Sequence, residues 1–79
     1  MQGRRVEQSS HKNFGLIAGD YAFIEGIWYA CTPNGLLGNL SNHTVVEHDD
    51  KTITVSPSIL VEGEGMWHGY LEHGVWREV

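Results

Sequence analysis

Five histidines and one cysteine are the side chains of this chain that could hold a soft metal ion or act as catalytic bases. Zinc takes four thiolate or imidazole ligands in a tetrahedral array, and sites of this kind are commonly built from close pairs of ligands. His43 and His48 are five positions apart, as are His68 and His73. Odd spacing on strands directs the members of each pair to opposite faces. We therefore expect no metal and no other cofactor; if a metal binds, the expected ligands are Cys31, His48 and His68.

Nucleophilic catalysis would need a cysteine or serine beside a histidine base that a third group orients. Cys31 is one candidate nucleophile, and Ser56 or Ser58 with His48 or His68 is another. No local motif such as a nucleophile elbow surrounds any of them. The sequence thus favours a protein that is not an enzyme.

Aromatic and basic residues cluster in the closing stretch "WHGYLEHGVWR". Its period-two pattern predicts a hairpin that turns at His73-Gly74. One face would carry both tryptophans, which are also candidates for the core because each large ring can bury on the order of 150 to 250 Å². Binding, at an interface or at the lip of a ligand site, is expected to use the aromatic and charged residues of this hairpin: Trp67, His68, Tyr70, Trp76 and Arg77.

The elements that must position these residues are predicted to be β-strands. Strands at 20–24 and 27–32 are expected to turn at Glu25-Gly26, where glycine supplies a positive φ. The segments "TVVEH" and "TITVS" flank an Asp-Asp-Lys turn and predict a second hairpin. Residues 35–42 are expected to form a short helical turn or a loop. Pro57 cannot donate to a sheet, so we expect it at a strand end or edge, with "SILV" starting a new strand.

The expected fold is all-β: a small, curved antiparallel sheet or partly open barrel built of hairpins, with at most one short helical turn. Residues 1–13 are polar and predict a flexible arm, and residues 14–79 predict a single small β domain. Alternation places Val46 and His48 on one side of their strand, so His48 is expected to border the core. The predicted core combines large apolar residues from several strands: Phe23, Trp28, Ile53, Val55, Ile59, Leu71 and Trp76.

Composition excludes several classes of function. The formal net charge is −5 with only five Lys and Arg, whereas a nucleic-acid site needs clustered cations. No run of eighteen apolar residues is present, so no membrane association is expected. A single cysteine excludes an intramolecular disulfide and favours a reducing, cytoplasmic setting.

Three motifs carry a family resemblance: "SPSILV" at 56–61, His68, and "HGVW" at 73–76. In this order they resemble small proteins encoded by bacteriophages and prophages, including a group often labelled ammonia monooxygenase. The resemblance spans residues 28–79 and implies a phage-type β domain in the cytoplasm of the host cell. That group often carries several cysteines near the first strand and another before the late histidine. This chain has only Cys31 there and a tryptophan before His68, so the resemblance carries over neither a zinc site nor an activity.

Three hypotheses of function follow from the residues and the resemblance. The leading one is a non-catalytic phage accessory protein that binds a host or phage protein, alone or as a homo-oligomer, with the last strand as a sheet edge open to a partner. The second is a small-ligand module, binding a nucleotide-like molecule with Trp67, His68 and Tyr70 as its lip. The third is a metal-binding protein or enzyme centred on Cys31 and the histidines.

Overall fold

The computed structural model describes residues 1–7 and 15–79, and these form eight β-strands and no helix. Accordingly, no helix in these ranges is long and apolar enough to cross a membrane. The strands are β1 (Arg4–Arg5), β2 (Asp20–Ile24), β3 (Ile27–Cys31), β4 (Leu37–Asn39), β5 (Thr44–Glu47), β6 (Ile53–Val61), β7 (Trp67–Glu72) and β8 (Val75–Glu78).

The strands form two four-stranded sheets, ordered β1-β2-β3-β4 and β5-β6-β7-β8. Neighbouring strands are antiparallel, except that β1 runs parallel to β2. Within each sheet, strands that follow each other in sequence are therefore neighbours in space. The prediction of a small all-β fold is confirmed, and the sheets do not close into a barrel.

Two tight turns shape the hairpins as the sequence predicts. Glu25 and Gly26 have φ values of 50° and 84°, and His73 and Gly74 have values of 47° and 77°. Positive φ at both central positions is what a two-residue type I′ turn requires, and that turn matches the twist of the strands it joins. The two-residue connections fix the registers of β2 with β3 and of β7 with β8.

Residues 35–42 differ from their prediction, because they contain β4 rather than a helical turn or a loop. The preceding turn is closed by hydrogen bonds from Gly35 N to Thr32 O and from Thr32 N to Leu36 O, each 2.8 Å long. This turn reverses the chain and places Leu37 opposite Cys31. The conformation of this segment is therefore determined by its pairing with β3 and not by its own sequence.

Pro57 was expected at a strand end or edge, but it lies inside β6, which has β5 on one side and β7 on the other. The register between β6 and β7 shifts between Val55 and Ile59, around a cis Ser56-Pro57 bond. A bulge of this kind accommodates a residue that has no amide hydrogen to donate. The segment "SILV" consequently continues the same strand.

Side chains from both sheets meet in one core. Its members, at most 3% exposed, are Tyr21, Ala30, Leu40, Ile53, Val55, Ile59, Trp67, Leu71 and Trp76. Five of the seven predicted core residues belong to this set, and Trp28 packs against it while only partly buried. Phe23 was wrongly assigned to the core. It is 50% exposed near the end of its hairpin, with its ring centroid 5.2 Å from that of Trp28.

Residues 1–7 lie against both sheets. The backbone N of Gly3 donates to Gly74 O at 2.7 Å, and Trp76 N donates to Met1 O at 2.8 Å. These bonds attach the first three residues to the turn before β8 and to β8 itself. The chain then enters β1 and pairs with β2, so one short segment contacts the last strand of one sheet and the first long strand of the other.

The expected flexible arm over residues 1–13 thus differs from the structure over its first seven residues. The reason is that only two residues, Arg4 and Arg5, form a strand, and two residues give no periodic signal in a sequence. The remaining part of the predicted arm, 8–13, and Phe14, where the domain was expected to begin, lie outside the described residues.

Trp76→Ala should lower the free energy of unfolding by about 3 to 5 kcal/mol, because it removes a buried ring from the core. The matched control is Val75→Ala, on the same strand but 43% exposed, which should cost under about 1 kcal/mol. Denaturant titration of both variants measures the difference. Equal losses would show that the Trp76 ring contributes nothing particular to the core.

Candidate functional site

The closing hairpin, β7 and β8, holds every residue that the sequence assigns to binding. Its register pairs Tyr70 with Arg77 and Leu71 with Trp76. Residues opposite each other in a sheet share a face, and successive residues alternate between faces. The hairpin therefore has a core side and a solvent side, and the predicted site residues are divided between them.

The two tryptophans lie on the core side. Trp67 and Trp76 are each 3% exposed, and their rings meet edge to face with centroids 5.2 Å apart. The indole nitrogen of Trp76 donates a hydrogen bond to Gly19 O at 3.0 Å. The assignment of these two residues to an interface or ligand lip is therefore wrong, because a partner cannot reach rings that the core already covers.

His68, Tyr70 and Arg77 lie on the solvent side, on the face opposite to that of the two tryptophans. The guanidinium carbon of Arg77 lies 4.6 Å from the centre of the Tyr70 ring, and Arg77 Nη2 is 3.0 Å from Glu72 Oε1. These contacts hold a tyrosine and an arginine side by side on an accessible surface. Tyrosine and arginine are two of the residues that most often dominate binding energy at interfaces.

Aliphatic side chains surround this pair on the same side of the sheet. Val46, Leu60, Val75 and Val79 are 49%, 51%, 43% and 71% exposed. The register places Leu60 beside His68. We call the solvent side of the β5–β8 sheet the outer face and define it by these residues: Val46, Leu60, His68, Tyr70, Val75, Arg77 and Val79. Aromatic residues and arginine are enriched at protein interfaces.

The free edge of β8, expected to pair with a partner strand, is partly occupied by the chain itself. An isolated bridge joins Gln2 to Val75, next to the backbone bonds that Met1 and Gly3 make. Strand addition along this part of β8 would have to displace those residues. The outer face, in contrast, is open as it stands.

Ser58 lies in the part of β6 where the register with β7 shifts, and two imidazole rings contact it. Ser58 Oγ lies 3.1 Å from His68 Nε2, and the Ser58 carbonyl oxygen lies 3.1 Å from His43 Nε2. The predicted pairing of Ser58 with His68 is thus present in the structure. Within the described ranges, however, no carboxylate hydrogen-bonds to the His68 ring, so the third member of a catalytic triad is missing. No local pattern indicates the contact of His43, because it joins residues that are 15 positions apart.

His48 shares a side with Val46, as alternation predicts, but that side is the outer face and not the core. Val45 takes the inward position and packs against the core. His48 instead stacks on His73, with ring centroids 4.0 Å apart and planes 12° apart, and its Nε2 lies 2.7 Å from Thr54 Oγ1. The stack joins the tips of the β5–β6 and β7–β8 hairpins.

The three candidate metal ligands are not brought together. Cys31 is buried in β3, His48 lies in the stack with His73, and His68 bonds to Ser58. Across residues 1–7 and 15–79, no three His, Cys, Asp or Glu side chains form a group that could hold a metal ion. The third hypothesis, a metal protein or enzyme centred on Cys31 and the histidines, has no assembled site in these ranges.

Burial raises the pKa of the Cys31 thiol, and the nearby Asp20 carboxylate raises it further. Both effects disfavour the thiolate, because a buried anion loses hydration and is repelled by a second anion. The thiolate is the form that attacks electrophiles and binds metals. Cys31 is therefore a poor nucleophile in the folded protein.

Comparisons with protein families, with curated proteins and with solved structures find no match for this chain. Any proposal about its function consequently depends on its own residues and their arrangement.

Iodoacetamide should alkylate Cys31 at neutral pH at least about tenfold more slowly in the folded protein than in denaturant, because of burial and the raised pKa. Raising the pH should speed the reaction of the folded protein, since more thiolate forms. Mass spectrometry of timed samples gives both rates. Equal rates with and without denaturant would contradict the burial of this thiol.

Elemental analysis of protein purified without an affinity tag should find far less zinc than is needed for a stoichiometric site. A chelator should leave the melting temperature unchanged, because residues 1–7 and 15–79 form no group of side chains that could hold a metal ion. Stoichiometric zinc whose removal unfolds the protein would instead make Cys31, His48 and His68 the ligands to test by substitution.

Proposed function

We propose that this chain is a non-catalytic protein-binding module, a phage accessory protein of the kind that the resemblance implies, and that it binds through the outer face. The single observation that carries the proposal is the exposure of apolar side chains on that face. Leu60, Val46 and Val75 are 43% to 51% exposed and Val79 is 71% exposed. Exposed apolar side chains gathered on one face are typical of protein interaction sites.

The centre of the face has the residue types that anchor interfaces. Tyr70 is half-buried beneath the Arg77 guanidinium, so its ring is held in place before a partner arrives. A side chain that is already fixed loses less conformational entropy on binding. The aliphatic residues around it would exclude water from the contact and so strengthen the central interactions.

The charges on this face also fit a second copy of the chain. Arg77 and Glu72 form an ion pair at 3.0 Å, with side chains 61% and 50% exposed. Two copies related by a two-fold axis place the same patch on both sides, so each Arg77 can reach the Glu72 of the other copy. A homo-oligomer is therefore one form of the proposed activity, alongside binding of a host or phage protein.

Binding without chemistry is favoured by what the site contains. Ser58 and His68 lie within hydrogen-bonding distance, but the described residues provide no carboxylate to orient the imidazole. Cys31 is buried and its raised pKa disfavours the nucleophilic form. A lip built on Trp67 is not supported either, because the core covers that ring.

Leu60→Asp should weaken both self-association and capture of partners by at least about tenfold, because it places a charge in the apolar part of the contact. The matched control is Leu37→Asp, which changes a leucine of similar exposure, 45% against 51%, on the other sheet. Light scattering at micromolar concentration measures self-association. Affinity capture from the host cell, with the immobilised full-length chain, measures binding of other proteins.

Tyr70→Ala and Arg77→Ala should give losses in the same direction. If the Leu60 and Leu37 variants behave alike in both assays, the outer face is not the binding surface. If self-association alone is lost, the function of the face is to assemble copies of this chain.

A further inference from the structure

The sheet built from β5, β6, β7 and β8 has two edges, and only one of them is covered by another part of the described chain. On the β8 side, an isolated bridge joins Gln2 to Val75, so the first three residues occupy part of that edge. On the other side, β5 (Thr44–Glu47) pairs with β6 and with no further strand. We call the side of β5 that faces away from β6 the β5 edge. It is separate from the outer face, because it is made of backbone groups and not of side chains.

Two residues of β5 direct their backbone hydrogen-bonding groups to this edge. A hydrogen bond of 2.9 Å from His48 N to Thr52 O fixes the pattern of the ladder between β5 and β6. Residues of an antiparallel strand bond alternately to one side and to the other, so Val45 and Glu47 direct their N–H and C=O groups away from β6. Among the residues that the structure describes, none bonds to these backbone groups. The β5 edge can therefore accept a further strand.

The side chains of β5 favour pairing with another strand. Its sequence is TVVE, and the threonine and both valines are β-branched residues that suit an extended strand. Proline, lysine and bulges commonly protect an edge from other chains, and β5 contains none of them. Its charged side chain, Glu47, is held in an ion pair by Arg5 of the same chain. β4, an edge strand of the other sheet, is less suited, because it is shorter and contains glycine and asparagine, which are depleted in strands.

Space for a second strand remains beside β5. Val45 lines an open cavity of about 300 Å³ together with Trp28 and His43. Further along the strand, Val46 is 49% exposed and the Glu47 side chain is 53% exposed. The strand therefore borders solvent at each of these three positions.

A second copy of the chain fits this edge in one register. When an antiparallel pair of β5 strands has its two-fold axis at Val46, Val45 of each copy lies opposite Glu47 of the other. Every outward N–H group of one copy then donates to an outward C=O group of the other. The two Val46 side chains lie opposite each other on the same face and cover each other's apolar surface.

Other registers use the edge less well. An axis at Glu47 would place two carboxylates opposite each other, which is destabilising. An axis at Val45 would pair Glu47 with His43, which lies before the strand begins. The register centred on Val46 is therefore the one that uses every outward group and opposes no like charges.

We infer that two copies of this chain form a symmetric dimer by antiparallel pairing of their β5 strands, centred on Val46, so that the two sheets become one continuous sheet. The contact is short, so the dimer is weak and forms at about 100 μM or above. At micromolar concentration it therefore adds little to association through the outer face. Because opposite residues share a face, both outer faces lie on the same side of the joined sheet. One consequence rests on the proposed function: a partner with two matching sites would contact both outer faces at once.

Val46→Cys tests this register in full-length protein that also carries Leu60→Asp, which disables the outer face. At a non-hydrogen-bonded position, opposite Cα atoms are about 4.5 Å apart, within the range of a disulfide bond, so mild oxidation should link the two copies. The matched control is Thr44→Cys, on the same strand and the same face. Its two copies would lie more than about 10 Å apart, so it should link at least about tenfold more slowly. Non-reducing electrophoresis of timed samples gives both rates, and the buried Cys31 is common to both variants.

Glu47→Pro and Glu47→Ala separate the backbone of the edge from its charge. Both variants lose the carboxylate that pairs with Arg5, but only proline loses the outward N–H, a group that the ladder with β6 does not use. Sedimentation equilibrium measures the dimer at concentrations up to about 1 mM. Glu47→Pro should weaken it at least about tenfold relative to Glu47→Ala, because each copy loses a hydrogen bond to the other.

If Glu47→Pro does not fold, the two cysteine variants still decide the question. Equal linking rates at positions 44 and 46, equal dimerisation of the two Glu47 variants, or an unmodified chain that stays monomeric at about 1 mM would each contradict the pairing. Because the cysteine variants carry Leu60→Asp, a rapid link at Val46 supports edge pairing even if the outer face binds nothing. Failure of the proposed function and failure of this pairing are thus observed separately.

Discussion

Three stretches of backbone meet beside the indole nitrogen of Trp76, and the two sheets are joined at this point. Trp76 Nε1 donates to Gly19 O, and Gly3 N donates to Gly74 O. A Cβ atom on Gly3 would lie 2.9 Å from Gly19 O, from Gly74 O and from Trp76 Nε1, so only glycine fits there. Because Gly19 precedes β2 and Gly74 precedes β8, this junction fixes the last hairpin of one sheet against the first hairpin of the other.

The junction also determines which side of the closing hairpin can meet a partner. With Trp76 anchored inward and Trp67 packed against it, the alternation of the strands directs Tyr70 and Arg77 outward. Gly69 strengthens this arrangement, because a Cβ there would collide with the Arg77 carbonyl oxygen and the Trp67 ring. The closing hairpin thus provides both Trp67 and Trp76 to the core and Tyr70 and Arg77 to the centre of the proposed contact surface.

Sequence patterns predicted the parts of the structure that depend on neighbouring residues. Glycine turns and alternation located the hairpins at Glu25-Gly26 and His73-Gly74 and the outward direction of Tyr70 and Arg77. The role of the tryptophans stayed open, because a large ring suits a core and a binding surface equally well. Whether a tryptophan belongs to the core or to the surface depends on which face of its hairpin the other sheet covers.

The parts that could not be predicted depend on pairing between distant residues. Adjacent valines at 45 and 46 leave the phase of β5 undetermined, since either can face the core. The contacts of residues 1–3 with β8 involve too few residues to produce a pattern. The cavity at Trp28 and His43 combines a turn, a connection and a strand that no local motif links.

Residues 1–3 are synthesised long before β8, the strand with which they pair, and this delay affects how the chain can fold during synthesis. Met1 and Trp76 are 75 positions apart, whereas each hairpin joins residues that emerge close together. Hairpins can therefore form during synthesis, but residues 1–3 must wait for β8. Until then the unpaired backbone of the first residues and the outer edge of β8 are both exposed to other chains. Pairing of residues 1–3 with β8 closes both at once, so these two segments are most open to mispairing until β8 has formed.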